Sequence, residues 1–123
     1  MTGALRVVIA DDAEILRSLL RRAIDRDERL EVVGEAANGR EALDHVEALA
    51  PDVLLLDLSM PVLDGMEVLR NLAGRCPVVV LTGYGETDLG QQCRELGARA
   101  FVEKGAPMTV VCDAIVAAAE TRT

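Results

Sequence analysis

The sequence predicts an α/β fold, a doubly wound five-stranded parallel sheet with five helices on its two faces. Three observations predict it. Strand-like and helix-like segments alternate along the whole of the 123 residues. The strand-like segments are continuous apolar runs, such as Val53-Leu54-Leu55-Leu56, the pattern of parallel strands covered on both faces. The segments between them carry helical periodicity and are long enough to be crossovers.

Each element has its own local reason. Leu5–Ala10 is β-branched and apolar, and Asp12 stands where it can cap a helix over residues 13–27. Leu16, Leu19, Leu20, Ala23 and Ile24 recur there at helical spacing, with Arg17, Arg21, Arg22 and Asp25 on the outer face. Residues 30–37 form a second strand. Asn38 with Glu41 three positions on is a capping-box pattern before Ala42, Leu43, Val46 and Leu49, and Pro51 ends that helix. Residues 52–57 are the central strand. Asp64-Gly65 opens a short helix through Met66, Val68, Leu69 and Leu72, closing near Gly74. Residues 77–82 are the fourth strand, and residues 86–96 a more polar helix interrupted at Gly90 and closed by Gly97. Residues 99–103 are the fifth strand. Pro107 suits the first turn of a last helix through Val110, Val111, Ala114, Ile115 and Ala118.

Composition excludes several classes. The length fits one domain, residues 1–123, with a real core. No apolar stretch is long enough to span a bilayer, and Met1-Thr2-Gly3-Ala4 leaves no room for a signal peptide before the first strand. Cys76, Cys93 and Cys112 are odd in number and widely spaced, as expected of reduced thiols in a cytoplasmic protein. A net charge of −8 argues against direct nucleic-acid binding, which needs cations at the phosphates. His45, mid-helix with no metal partner in register, reads as a surface residue.

The chemistry gathers where the apolar runs end. The first runs into Asp11-Asp12, the third into Asp57, the fourth into Thr82 and the fifth into Lys104. Twelve Arg serve the rest of the chain, so the single Lys marks a place that calls for a compact ammonium on a flexible stem. In parallel strands all five residues meet at the carboxyl edge, where doubly wound sheets carry their sites. Clustered carboxylates either take up protons or hold a cation. Oxygen ligands without His or Cys favour a hard ion, most simply Mg²⁺. A carboxylate can also be a nucleophile toward phosphorus, giving an acyl phosphate. Asp57, ending the central strand, is the best placed.

The order Asp11-Asp12, Asp57, Thr82, Lys104 resembles the receiver domain of two-component response regulators, the CheY-like fold. The run Leu54-Leu55-Leu56-Asp57-Leu58-Ser59-Met60-Pro61-Val62-Leu63-Asp64-Gly65 is similar to that family's phosphoacceptor loop almost residue for residue. Phe101, three before Lys104, stands at its aromatic switch position. The resemblance implies a strand order of 2-1-3-4-5. It implies that Asp57 accepts a phosphoryl group from the phosphohistidine of a sensor histidine kinase or histidine phosphotransferase. Asp11, Asp12, Asp57 and the backbone carbonyl of Ser59 would hold Mg²⁺, with Mn²⁺ or Ca²⁺ able to substitute. Lys104 would pair with the phosphoryl oxygens, Thr82 would move to bond one, and Phe101 would turn inward. Ile15 and Leu19 on the first helix would help dock the kinase-side partner. The altered face, helix 4, strand 5 and helix 5, would serve signalling or a homodimer. Ser59 and Tyr84 would tune acyl-phosphate hydrolysis, Tyr84 by shielding, which implies a moderately long-lived phosphorylated state.

Gly105 follows Lys104 where the family most often has Pro. Lys104-Gly105-Ala106, with Gly34-Glu35-Ala36-Ala37-Asn38-Gly39, is similar to receivers of the LuxR/NarL type, which implies a transcriptional output domain. A stand-alone regulator acting by protein–protein contact is the alternative. An aspartyl-nucleophile phosphatase of the haloacid-dehalogenase kind needs a second Asp two residues after the first, and Ser59 is there instead. A flavodoxin-like binder needs a phosphate cradle where Asp11-Asp12 would repel phosphate.

Overall fold

The computed structural model describes residues 3–83 and 89–120. Its elements alternate as β1 (Leu5–Ala10), α1 (Glu14–Arg26), β2 (Leu30–Ala36), α2 (Gly39–Leu49), β3 (Val53–Asp57), α3 (Gly65–Leu72), β4 (Val78–Thr82), α4 (Gly90–Glu95), β5 (Ala98–Glu103) and α5 (Met108–Glu120). The five strands are parallel in the order β2-β1-β3-β4-β5. The residues of predicted helix four that precede Leu89 lie outside those described.

Side-chain alternation along the strands makes two cores from one sheet. Val7, Ile9, Leu55, Val79 and Leu81 pack with Leu20 and Ile24 of α1 and Val111 and Ile115 of α5. Val8, Ala10, Leu54, Leu56 and Val80 pack with Ala42 of α2, Leu69 and Leu72 of α3 and Cys93 of α4. Both faces of β3 and β4 are covered, which is why those strands are apolar at every position except their polar last residues, Asp57 and Thr82.

Local signals decide the ends of the helices. Asn38 Oδ1 accepts the Glu41 amide at 2.9 Å, and Glu41 Oε1 reaches back to the Ala37 amide at 2.8 Å, one residue before the position a capping box would use. Asp64 caps α3 through the Glu67 amide. The start of α1 differs from expectation. Ala13, not Asp12, is the N-cap residue, and it makes no side-chain cap bond. The carboxylate that serves this turn is Asp11, whose Oδ1 accepts the Ala13 amide at 2.8 Å. Asp11 sits at the strand end, two residues before that amide, which is the spacing of an Asx turn. Asp12 is left exposed and facing the sheet edge.

Two loops are shaped for the site. Ala106 N–H closes a turn on the Glu103 carbonyl, with Gly105 at φ 95, so the residue after Lys104 occupies a conformation that favours glycine. In the β3–α3 loop the Leu63 amide bonds back to the Pro61 carbonyl at 2.7 Å around Val62 at φ 69. That is a tight three-residue turn in which a β-branched residue is strained.

Candidate functional site

The topology brings the ends of β1, β3, β4 and β5 side by side. Asp11 and Asp57 are fully buried, Thr82 nearly so, and Asp12 is exposed at the mouth. One carboxylate oxygen from each of Asp11, Asp12 and Asp57 lies within 4.8 Å of the others. Lys104 Nζ sits 2.8 Å from Asp57 Oδ1. That same oxygen accepts the Ser59 amide at 3.2 Å, an Asx turn like that of Asp11. In both residues the turn occupies one oxygen and sets the carboxylate's orientation. The other oxygen, Oδ2 of Asp11 and Oδ2 of Asp57, is buried without a hydrogen-bond partner among the described residues.

Two buried carboxylate oxygens left unpaired are costly, and they call for a cation. Burial pushes the Asp57 carboxyl above the usual range, opposed by its bonds to Lys104 and to the Ser59 amide. Burial likewise raises Asp11, opposed first by the Ala13 amide, while the neighbouring charge of Asp57 raises it further. Three oxygen donors, no nitrogen or sulfur, and one exposed acid open to water match a small hard ion such as Mg²⁺ with waters completing its shell. The residues present fit that ion.

Thr82 Oγ1 is turned toward β5, where it donates to the Val102 carbonyl at 3.5 Å. A bond this long is weak and easily exchanged. Phe101 is half-buried against the core beneath α4, with the Arg94 guanidinium 4.6 Å from its ring centroid. Tyr84 lies outside the described residues. The expectation for Ser59 concerned its carbonyl and its side chain. The structure shows instead its amide holding Asp57.

Two expectations are corrected. His45 is no bystander on the surface: its Nε2 lies 2.9 Å from the Glu35 carbonyl, which can only accept, so that nitrogen carries the proton. Arg17 does not fill an outer face. It is mostly buried, pairing with Glu35 at 3.1 Å and donating to the Asp11 carbonyl at 2.8 Å. The signal available in the sequence was Glu35 itself, a charge inside a strand that needs a partner.

The raised carboxyls make a pH prediction for the metal-free protein. A folded carboxyl that binds its proton more tightly than the unfolded one stabilises fully below the unfolded value, near 3.8. That contribution is lost as pH rises through the folded values. Asp27, held at about 2 by Arg29, acts oppositely and only below 3.8. Melting temperature without Mg²⁺ should therefore fall as pH rises above 3.8, and Asp11→Asn should flatten the slope. A wild-type slope no steeper than that of Asp11→Asn, in matched thermal melts, would contradict the assignment.

The comparisons converge on one family. The response regulator receiver domain profile matches residues 7–116. The signal receiver domain of the response regulator NarL from Mycobacterium tuberculosis superposes with a TM-score of 0.92 at 31% identity, covering 98% of this chain and all of that one. The response regulator domain of Thermotoga maritima CheB gives 0.90 at 26% identity, covering 98% and 99% of the two chains. Among curated proteins, a protein-glutamate methylesterase/protein-glutamine glutaminase of Halalkalibacterium halodurans is 38% identical over 85% of this chain and 31% of its own length. The transcriptional regulatory protein PdtaR of M. tuberculosis is 38% identical over 80% of this chain and 49% of its own length. The chain thus spans about a third of the methylesterases and about half of PdtaR.

Proposed function

Because the chain belongs to the response regulator receiver family of two-component systems, we propose that Asp57 is its phosphoacceptor, with Asp11 and Asp12 its metal-holding acids. The observation that carries this is the pair of unpartnered buried oxygens, one on Asp11 and one on Asp57, beside the Lys104 ammonium. Family members bind Mg²⁺ through such acids, receive phosphate from histidine kinases and act on output domains.

Asp11, Asp12, Asp57 and the Ser59 carbonyl would hold Mg²⁺, which when bound offsets charge on the phosphoryl oxygens and the carboxylates. A carboxylate oxygen of Asp57 attacks phosphorus, the P–N bond of the phosphohistidine breaks, and its electron pair stays on the imidazole. The product is an aspartyl phosphate. Lys104 moves from the Asp57 carboxylate to a phosphoryl oxygen, and Thr82 exchanges its long bond to Val102 for another. With Thr82 drawn in, space opens for Phe101 to turn inward, changing the face built from α4, β5 and α5. Ser59 and Tyr84, the positions two beyond the acceptor and two beyond Thr82, tune the rate of its hydrolysis. Ile15 and Leu19, 80% and 48% exposed on α1, offer the apolar contact for the phosphohistidine-bearing partner. Residues 1–123 act as a single receiver domain. Its output is transcriptional, as the name of PdtaR suggests for that relative. The methylesterase relatives favour a second reading, in which the receiver controls an attached enzyme or a separate partner.

Phe101 is the chain's single Phe, so a fluorinated phenylalanine label gives one ¹⁹F signal. Beryllofluoride, a phosphoryl mimic, should shift that signal at one equivalent, only with Mg²⁺ present and only with Asp57 intact. Beryllofluoride bound at Asp57 with an unmoved ¹⁹F signal would remove Phe101 as the switch, and absence of binding would remove the proposed acceptor site.

A further inference from the structure

Asp12 is the acid least held by its surroundings. It is exposed, in the loop between β1 and α1, whereas Asp11 is fixed by its Ala13 bond and by its own amide on the Ala36 carbonyl at 3.0 Å. The peptide joining Asp11 to Asp12 carries the Asp12 Cα, and its carbonyl accepts Arg17 Nη1 at 2.8 Å. Arg17 is itself anchored. Its side chain is only 17% exposed, and Nε donates to Glu35 Oε1 at 3.1 Å. Glu35 is held in turn, by Arg21 on its other carboxylate oxygen at 3.1 Å and by His45 on its backbone carbonyl at 2.9 Å. A connected path of polar contacts therefore runs from α2 through β2 and α1 to the peptide from which Asp12 projects.

We infer that Arg17, anchored by Glu35, is a positioning residue for the metal-holding acids, keeping the Asp11–Asp12 peptide oriented so that Asp12 stays in reach of Asp11 and Asp57. This rests on the proposed metal site and adds to it a residue that touches neither metal nor phosphate. Partners of this kind, one shell out from the ligands, commonly hold a tenfold or greater share of metal affinity. The sign of the effect separates positioning from electrostatics. Arg17 is a cation seated on the backbone carbonyl of one of the metal-holding acids, so by Coulomb's law alone its removal should tighten cation binding. Positioning requires the opposite.

The test is calorimetric titration with Mg²⁺ alone, without phosphodonor, on wild type, Arg17→Ala, Arg17→Lys and Arg21→Ala. Arg17→Ala should bind Mg²⁺ about tenfold more weakly. Arg17→Lys keeps the charge but cannot span both Glu35 and the Asp11 carbonyl, and should bind about threefold more weakly. Arg21→Ala removes a charge from the same Glu35 without touching the acid loop, and should stay within about twofold. Equal or tighter binding by Arg17→Ala overturns the inference. If Arg17→Ala shows no cooperative unfolding transition, Arg17→Lys decides: unchanged affinity in it overturns the inference. Absence of Mg²⁺ binding by the wild type removes the metal site itself, and the positioning role with it.

Discussion

Replacing Gly39 with alanine should lower the melting temperature by on the order of 10 °C, although alanine is the better helix former. Gly39 is the first residue of α2, and a Cβ there would sit 1.9 Å from the carbonyl oxygen of Leu63 and 2.7 Å from its carbon. Two effects compete. Helix propensity favours alanine by up to about 1 kcal/mol. The clash is with backbone, not with the movable end of a side chain, so either α2 or the β3–α3 loop must shift, at about 3 kcal/mol or more. The clash wins. Because that loop follows Asp57 directly, the damage should reach the site, and Mg²⁺ should stabilise Gly39→Ala less than wild type in the same melts. A variant that melts within about 2 °C of wild type would show that the contact between α2 and the loop is looser than the structure describes.

Asp57→Asn should have two effects of opposite sign. Without metal it should melt higher than wild type, by about 1–2 kcal/mol. The substitution reduces the 2.8 Å ion pair with Lys104 to a hydrogen bond on a neutral amide oxygen, but it removes one of three carboxylates crowded within 4.8 Å and a buried oxygen that has no partner among the described residues. The Asn amide can also donate toward Asp11, whose Oδ2 lacks a partner. With Mg²⁺ the order should narrow or reverse. At a hundredfold excess over its Kd, a ligand stabilises the wild type by about 2.7 kcal/mol, and the variant has lost one of the ligands. Thermal unfolding with and without Mg²⁺ reads both. A variant less stable than wild type without metal would mean that the Lys104 ion pair outweighs the repulsion.

What was legible in the sequence follows from how directly a residue's neighbours fix its place. Asp11, Asp57, Thr82 and Lys104 each end a strand or stand one residue beyond it, and a buried parallel strand leaves such a residue one exit, at the carboxyl edge. Parallel pairing then aligns the ends, as the partners Asp57 and Leu81, and Thr82 and Glu103, show. Caps with a short local signal were equally readable, as Asn38 and Asp64 demonstrate. The start of α1 was not, because Asp11 and Asp12 are chemically alike and only the turn geometry decides which one bonds the backbone. Arg17 was hidden for another reason. Helical spacing placed it beside Arg21 and Arg22, and only the position of Glu35 on the adjacent β2 draws it inward. Gly39 and Val62 owe their roles to the packing and turn of the β3–α3 loop. Nothing at residue 39 announces the Leu63 carbonyl, and valine is a poor marker for a positive φ that glycine or asparagine would have signalled.

The measurement that bears most directly on the central claim is intact mass after incubation with acetyl phosphate, with and without Mg²⁺, for wild type and Asp57→Asn. The expected result is one added phosphoryl group on the wild type, present with Mg²⁺, absent without it, and absent from the variant under both conditions. An adduct of the same mass on Asp57→Asn, or one formed equally well without the metal, would contradict an account in which Asp57 is the acceptor and the acids at the strand ends hold the ion.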